Sequence, residues 1–448
     1  MSIWANIIKR FRAPALPKPT AEYNQQYFDG LVNVLRLYFN QLDTLLGEIV
    51  SAQPVNVQFF GSAIDAFGRA RTSSPYTLFD SQNRYEKNDQ FSETTATGGT
   101  VTYTANESTV NLNVTASSGS EVVRQTYRSF SYQPGKGLLV MNTFVMPTAS
   151  ANQRIRVGYF NTENGVFLER DGTTVYIVRR TYVTGSAVDT RVAQADWNGD
   201  KLDGTGDSGF TLDLTKAQIF WEDFEWLGVG SVRAGFVING QTIICHTFQN
   251  ANNLTSVYMT TAILPVRYEI TNTGAAAIAT LKQICSTVIS EGGYEKRVNL
   301  NVARMTTTNT NITTTFKPLV SIRLASGRTG AVVLPDGYSV LCSGTGGEFE
   351  IAMVKNPALT GASWAASDSP NVQYDISATA LTGGTIIRNA YTSSDNKSDG
   401  TVSSPEIYNW DLQIGATIGG TSDIYTLAVR TLSGTHSAIG SLSFWDLT

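Results

Sequence analysis

The chain has 448 residues, a formal net charge of −4 and only 16 % charged residues. That balance excludes the bulk basic field of a nucleic-acid-binding protein, and no apolar run reaches the roughly 18 residues of a membrane span. The three cysteines, Cys245, Cys285 and Cys342, are odd in number and far apart, which fits neither a disulfide framework nor a zinc site and suits a reducing compartment.

The length suits about two to three domains, and the abundance of Gly, Thr, Ser and Asn favours β-structure with many turns. Residues 1–12 lack the apolar core and small-residue cleavage site of a signal peptide, so secretion by that route is not expected.

Residues 1–19 read as an extended anchoring arm. Trp4, Ile7, Ile8 and Phe11 alternate with Lys9, Arg10 and Arg12, and Pro14, Pro17 and Pro19 hold the segment open. Apolar groups among cations in a short terminal arm suit a peg that inserts into another protein.

Residues 20–52 predict the one long helix. Phe28, Leu31, Leu35, Tyr38, Leu42, Leu45 and Ile49 repeat at 3 and 4, the a/d heptad pattern of a helix laid along a partner helix. Thr20 is placed to cap its start and Pro54 follows its end. Val32, Phe39 and Leu46 widen the seam at e positions, which suits three helices. Gly30 and Gly47 each weaken the helix by about 1 kcal/mol, so packing must hold it. The expected role is self-association, as a homotrimer; the plainer reading is a lone helix lying on its own β-domain.

Residues 53–97 read as a linker. Within them lies Asp65-Ala66-Phe67-Gly68-Arg69-Ala70-Arg71-Thr72-Ser73-Ser74-Pro75-Tyr76-Thr77-Leu78-Phe79-Asp80-Ser81. By composition this is irregular chain with a Pro-fixed turn. The stretch also resembles one found soon after an amino-terminal helix in structural proteins of tailed bacteriophages, cyanophages above all, with Ala70 where those proteins commonly have Leu.

Residues 98–291 read as strand after strand. Ile155, Val157 and Tyr159 alternate with polar residues, and Asn164-Gly165 and Asp171-Gly172 supply turns. Val232, Ala234, Phe236 and Ile238 are expected on one face. Asn239-Gly240 turns the chain, and Thr242, Ile244, His246 and Phe248 are expected to return together. Val266, Tyr268 and Ile270 alternate in turn. The segments Trp221–Gly230, Leu264–Ile270 and Leu281–Gly293 again resemble the phage structural family.

Residues 292–448 predict a second sandwich. Val320, Ile322 and Leu324 alternate, as do Trp410, Leu412 and Ile414, and Tyr425, Leu427 and Val429. Asn356-Pro357 and Gly383-Gly384 are turn signals, and Asn371–Ile387 resembles the same family. The expected fold class is mainly β, an N-terminal heptad helix followed by two antiparallel, jelly-roll-like β-sandwich domains.

Three groups of residues invite chemistry. Glu222, Asp223 and Glu225 are acids between two tryptophans, but strand period puts Asp223 and Glu225 on one side and Glu222 on the other, so they do not form a glycosidase pair. Asp196, Asn198, Asp200 and Asp203 make an acidic, Gly-rich loop; an EF-hand would need Gly at Lys201 and Glu at Asp207, so a plain hydrated loop is expected. His246 and His436 are the only histidines, and His246 on an apolar strand reads as a packed side chain rather than a base. No catalytic, metal or cofactor residues are expected. Which of Trp197, Trp364 or Tyr391 is exposed enough to stack on a sugar is left open by the sequence.

The resemblance runs from about residue 60 to the end. It implies a virion structural protein of the fibre or appendage kind, assembled in the bacterial cytoplasm and not an enzyme. The expected partners are further copies of the chain and other virion proteins. Host surface glycan is the alternative, with depolymerase activity ranked below both; nucleic acid and membrane are not expected.

Overall fold

The structure, a computed structural model, describes residues 16, 25–50, 74–295, 300–394, 400–403 and 410–448; side chains are described for all of these except 43–50 and 400–403. The chain divides into two compact units at residues 72 and 73. Trp4, Ile7, Ile8 and Phe11, the helix punctuation at Thr20 and Pro54, and the seam residues Leu45 and Ile49 as side chains all lie outside the described residues.

In the first unit, Gln25–Val50 forms one α-helix of 26 residues. None of its described side chains is buried. In the second unit the described strands pair antiparallel, in two successive sandwiches.

The first sandwich faces an eight-stranded sheet against a seven-stranded one. The eight-stranded sheet runs Gln241–Phe248, Val232–Ile238, Gln218–Phe224, Leu138–Val145, Ala279–Ser290, Thr109–Val114 and Thr100–Thr104, with Tyr76–Gln82 also on Ala279–Ser290. The seven-stranded sheet runs Val188–Ala193, Thr174–Thr181, Gly165–Asp171, Gln153–Phe160, Val266–Asn272, Glu121–Thr126 and Phe91–Ala96. Alternate residues such as Val140, Phe220, Phe224, Tyr159 and Tyr268 fill the space between the sheets and are fully buried.

Two expectations are corrected here. Residues 53–97 are not all linker: Tyr76–Gln82 and Phe91–Ala96 are sheet strands, and Leu78, Phe79 and Phe91 are core residues. Their Thr- and Ser-rich composition hides the strands, because burial on one face needs only a few apolar side chains. The return strand Gln241–Phe248 also breaks its alternation. A bulge between Ala234 and Gly235 pairs them with His246 and Ile244 and leaves Cys245 as the extra residue. Ile243 and Cys245 are therefore buried, while Ile244 is 40 % exposed. The Asn239-Gly240 turn is as expected: both residues have positive φ (51° and 77°) in a two-residue connection, Ile238 pairing Gln241.

The outer face of the seven-stranded sheet carries an ion-pair belt. Arg156 reaches Glu169 at 2.6 Å and Glu269 at 3.3 Å, Arg267 meets Glu269 at 2.9 Å, and Arg180 meets Asp189 at 2.7 Å. Phe160, Phe167 and Val178 pack among these charges, with the Arg156 and Arg180 guanidinium groups over the Phe167 ring.

The second sandwich faces a five-stranded sheet, Leu300–Arg304, His436–Asp446, Val333–Ser343 and Gly400–Ser403 with Asn309–Ile312 beside His436–Asp446, against a six-stranded one. The latter runs Ala365–Ala366, Val372–Asp375, Lys317–Leu324, Ile424–Thr431, Gly347–Lys355 and Thr385–Ser394. Ile322, Val340, Phe349, Leu427 and Phe444 build its core. The two sandwiches are continuous in packing, since Val332, Leu334 and Trp410 join the core of the first.

Candidate functional site

The helix presents its heptad face uncovered. Phe28 is 44 % exposed and Leu35 37 %, and the flanking Val32 and Phe39 are 59 % and 57 % exposed. Leu31, Tyr38 and Leu42 are partly exposed. An apolar stripe this broad is the kind of face on which a helix packs. Gly30 lies within the helix, and among the described residues nothing stands within 4 Å of a would-be Cβ there.

The acids between the tryptophans separate as period two requires. Glu222 points between the two sheets with Phe220 and Phe224; it is fully buried, and among the described residues neither carboxyl oxygen has a hydrogen-bond partner within 3.5 Å. Burial holds its carboxyl well above the usual carboxylate range and so favours the protonated form. Asp223 points outward and forms an ion pair with Arg233. Glu225 lies past the strand end, exposed, and accepts a hydrogen bond from Ser231. Glu222 and Asp223 therefore cannot flank one bond of a substrate.

Trp226, at the end of that stretch, helps to build a pocket. Its ring meets Tyr132 edge to face at 5.8 Å, its indole N–H donates to the Met259 carbonyl at 3.2 Å, and its backbone N–H donates to the Tyr132 hydroxyl at 3.1 Å. Trp226, Tyr132 and Tyr294 line a cavity of 330 Å³, with Ser131, Thr261 and Leu447 between them. Three rings with a few hydroxyls around a concave space is the composition of a small-ligand site. No spacing signal marks this pocket, because Tyr132 and Tyr294 are far from Trp226 in the chain.

The acidic loop is organised by its own backbone. Asp200 accepts from the Leu202 N–H at 2.8 Å and the Ser208 N–H at 2.7 Å. Burial works against its ionisation, but these N–H donors outweigh it and hold the carboxylate below the usual range. Asp203 likewise caps Thr205, through both hydroxyl and N–H. The loop also covers the edge strand Gln241–Phe248. Gly199 and Asp200 donate to Cys245 and Ile244, and the Asn198 side chain forms a pair of bonds with the Thr247 backbone. This satisfies backbone groups that an open edge would leave to another chain.

His246 is buried against Phe248 and accepts the Asn198 N–H at 3.3 Å, and burial pushes its imidazole pKa down. His436 packs edge to face on Phe349. Of the three aromatics left open by the sequence, Trp197 is buried, Trp364 lies under the Arg323 guanidinium, and Tyr391 is 63 % exposed.

No protein-family profile matches the chain, and none of the curated proteins matches it. Among solved structures, the chain is similar over 63 % of its length to all of a protein of unknown function from Shewanella oneidensis MR-1, at 8 % identity and a TM-score of 0.32. It is similar over 50 % to all of the CBM2 module of the evolved Dit of Lactobacillus casei BL23 phage J-1, at 6 % identity and 0.34. It is similar over 49 % to 99 % of a Bacillus licheniformis β-glucanase, at 11 % identity and 0.30. Likenesses of this size assign no function.

Proposed function

We propose that the chain is a structural component of a tailed-phage particle, a homotrimeric fibre, spike or appendage protein assembled in the host cytoplasm. The helices associate through Phe28, Leu31, Leu35, Tyr38, Leu42, Leu45 and Ile49, and the arm docks on another virion protein through Trp4, Ile7, Ile8 and Phe11. The β-sandwiches project as the body. The observation that carries this reading is the uncovered heptad face of Gln25–Val50; the family-like stretches of the sequence supply the particle. Glu222 and Asp223 face opposite ways, so this pair supplies no glycosidase chemistry.

Sedimentation equilibrium of the full chain at micromolar concentration tests the association. The trimer mass is expected, and Leu35→Asp with Leu42→Asp is expected to give a monomer with intact β-domains, because charges in a closed seam cost several kcal/mol. A wild-type monomer overturns the reading.

One observation favours a second role, recognition of host surface glycan. The Trp226, Tyr132 and Tyr294 pocket is the aromatic concavity that an adhesin needs and a purely structural surface does not. Loss of glycan binding in Trp226→Ala would support it, and unchanged binding would count against it.

A further inference from the structure

Three Asn-Gly pairs stand in the sequence: Asn164-Gly165, Asn198-Gly199 and Asn239-Gly240. Such a pair carries its own chemistry. The glycine backbone nitrogen can attack the side-chain carbonyl carbon of the asparagine, and a glycine, without a Cβ, obstructs that approach least. The new C–N bond closes a succinimide ring. The carboxamide nitrogen leaves as ammonia, taking the proton given up by the glycine N–H. Water then opens the ring at one carbonyl or the other, to give aspartate or isoaspartate. Water is the only co-reactant.

The fold blocks this reaction at two of the pairs. Asn164 is fully buried. Its amide nitrogen donates to the Thr260 hydroxyl at 2.8 Å, and its oxygen accepts from the Thr260 N–H at 2.9 Å and the Tyr182 N–H at 3.3 Å. Asn198 is tied to the Thr247 backbone by two bonds, at 2.9 and 2.8 Å. The attacking nitrogen is occupied there as well, since the Gly199 N–H donates to the Cys245 carbonyl at 2.8 Å.

The third pair is open. Asn239 and Gly240 are exposed at the tip of the hairpin that joins Val232–Ile238 to Gln241–Phe248. Among the described residues no hydrogen bond within the protein holds the Asn239 carboxamide or the Gly240 N–H. Nothing stands within 4 Å of a would-be Cβ at Gly240. The acidic loop bonds the edge strand at Ile244, Cys245 and Thr247, away from this tip. The turn must open for the nitrogen to reach the carboxamide carbon, and the tip of an edge hairpin opens locally at far less cost than the whole sandwich.

The two products differ in what they do to the turn. Aspartate suits its first central position, where Asp-Gly serves as Asn-Gly does. Isoaspartate instead routes the main chain through the side-chain carbons and adds a methylene. A two-residue connection with φ of 51° and 77°, which sets Ile238 opposite Gln241, has no room for it.

We infer that Asn239 is a site of spontaneous deamidation, the one Asn-Gly pair of the three that the folded chain leaves open to it, and that its isoaspartate product undoes the hairpin turn. The inference stands apart from particle assembly and from the aromatic pocket, and neither reading is needed for it.

The test is incubation of the full chain in water enriched in oxygen-18, at mildly alkaline pH and physiological temperature, followed by peptide mapping with fragmentation that separates aspartate from isoaspartate. Label is expected to enter at residue 239 at least about tenfold faster than at residue 164 or 198, where two or more hydrogen bonds must break first. In concentrated urea the three rates are expected to converge, because the local sequence chemistry is then all that remains. Chain enriched in isoaspartate at residue 239 is expected to show faster hydrogen exchange in Val232–Ile238 and Gln241–Phe248 than fresh chain, and Asn239→Asp is expected to match fresh chain. Labelling at residue 239 no faster than at the other two sites in the folded chain overturns the inference. So does a preference for residue 239 that persists in urea, since sequence rather than structure would then set it. Unchanged exchange in the isoaspartate form overturns the effect on the turn.

Discussion

Glu222 and Asp223 are adjacent in sequence and lie on opposite faces of one sheet. The first is sealed between the sandwich layers with both oxygens unpartnered among the described residues, and the second is paired outward with Arg233. Period-two alternation alone produces this split, and it turns a promising acidic motif into one stability liability and one surface ion pair.

The liability has a measurable sign. Because burial raises the folded-state pKa of Glu222 above its ordinary value of 4.5, its contribution to stability is favourable below that value and declines as pH rises towards the folded-state value. Glu222→Gln removes the titration. Thermal melts should show the variant more stable than wild type at about pH 8, by several degrees, and the advantage shrinking towards about pH 4. An equal shift at both values would contradict the assignment.

Arg156 is the hub of the outer belt, holding both Glu169 and Glu269. Burial raises the Glu269 pKa, but Arg267 and Arg156 outweigh it and hold that carboxyl below its usual range. Its stabilising contribution is present above the ordinary value of 4.5 and is lost as pH falls through the depressed one. Arg156→Met takes one cation from each of two buried carboxylates, leaving Glu169 with Arg191 and Glu269 with Arg267, and urea unfolding at neutral pH should show a loss of about 1.5–3 kcal/mol. A loss under about 1 kcal/mol would mean the belt is redundant at its centre.

Gly235 stands opposite the bulge, where a Cβ would lie 1.9 Å from the Ile243 carbonyl oxygen. Gly235→Ala must shift backbone, and denaturant unfolding should show a cost of about 2–4 kcal/mol. Stability within about 0.5 kcal/mol of wild type would show that the edge strand can move aside.

Much of this was legible in the sequence. Asn239-Gly240 marked its hairpin because few residues adopt two successive positive φ values, and the 3/4 spacing marked the helix because burial on a helix must follow its turn. The bulge at Cys245 was not legible: one extra residue reverses the faces of a strand and leaves no composition signal. The strands Tyr76–Gln82 and Phe91–Ala96 were hidden by polar outward residues. The aromatic cavity was hidden for a different reason. Tyr132 and Tyr294 are brought together only by sheet topology, and no spacing rule spans such separations.

The arm carries its own prediction. Deleting residues 2–19 should leave the melting temperature of the β-domains almost unchanged and abolish attachment to the particle, because Trp4, Ile7, Ile8 and Phe11 lack the periodicity to bury themselves. A truncated chain that still incorporates at normal copy number would show that attachment lies elsewhere.

The most direct test of the central claim is quantitative mass spectrometry, with antibody labelling, of tailed-phage particles purified from lysates that contain the chain. The account predicts that the chain is a stoichiometric particle component, present in a multiple of three copies and labelled at one defined position. Its absence from purified particles, with abundance only in the infected-cell lysate, would contradict it.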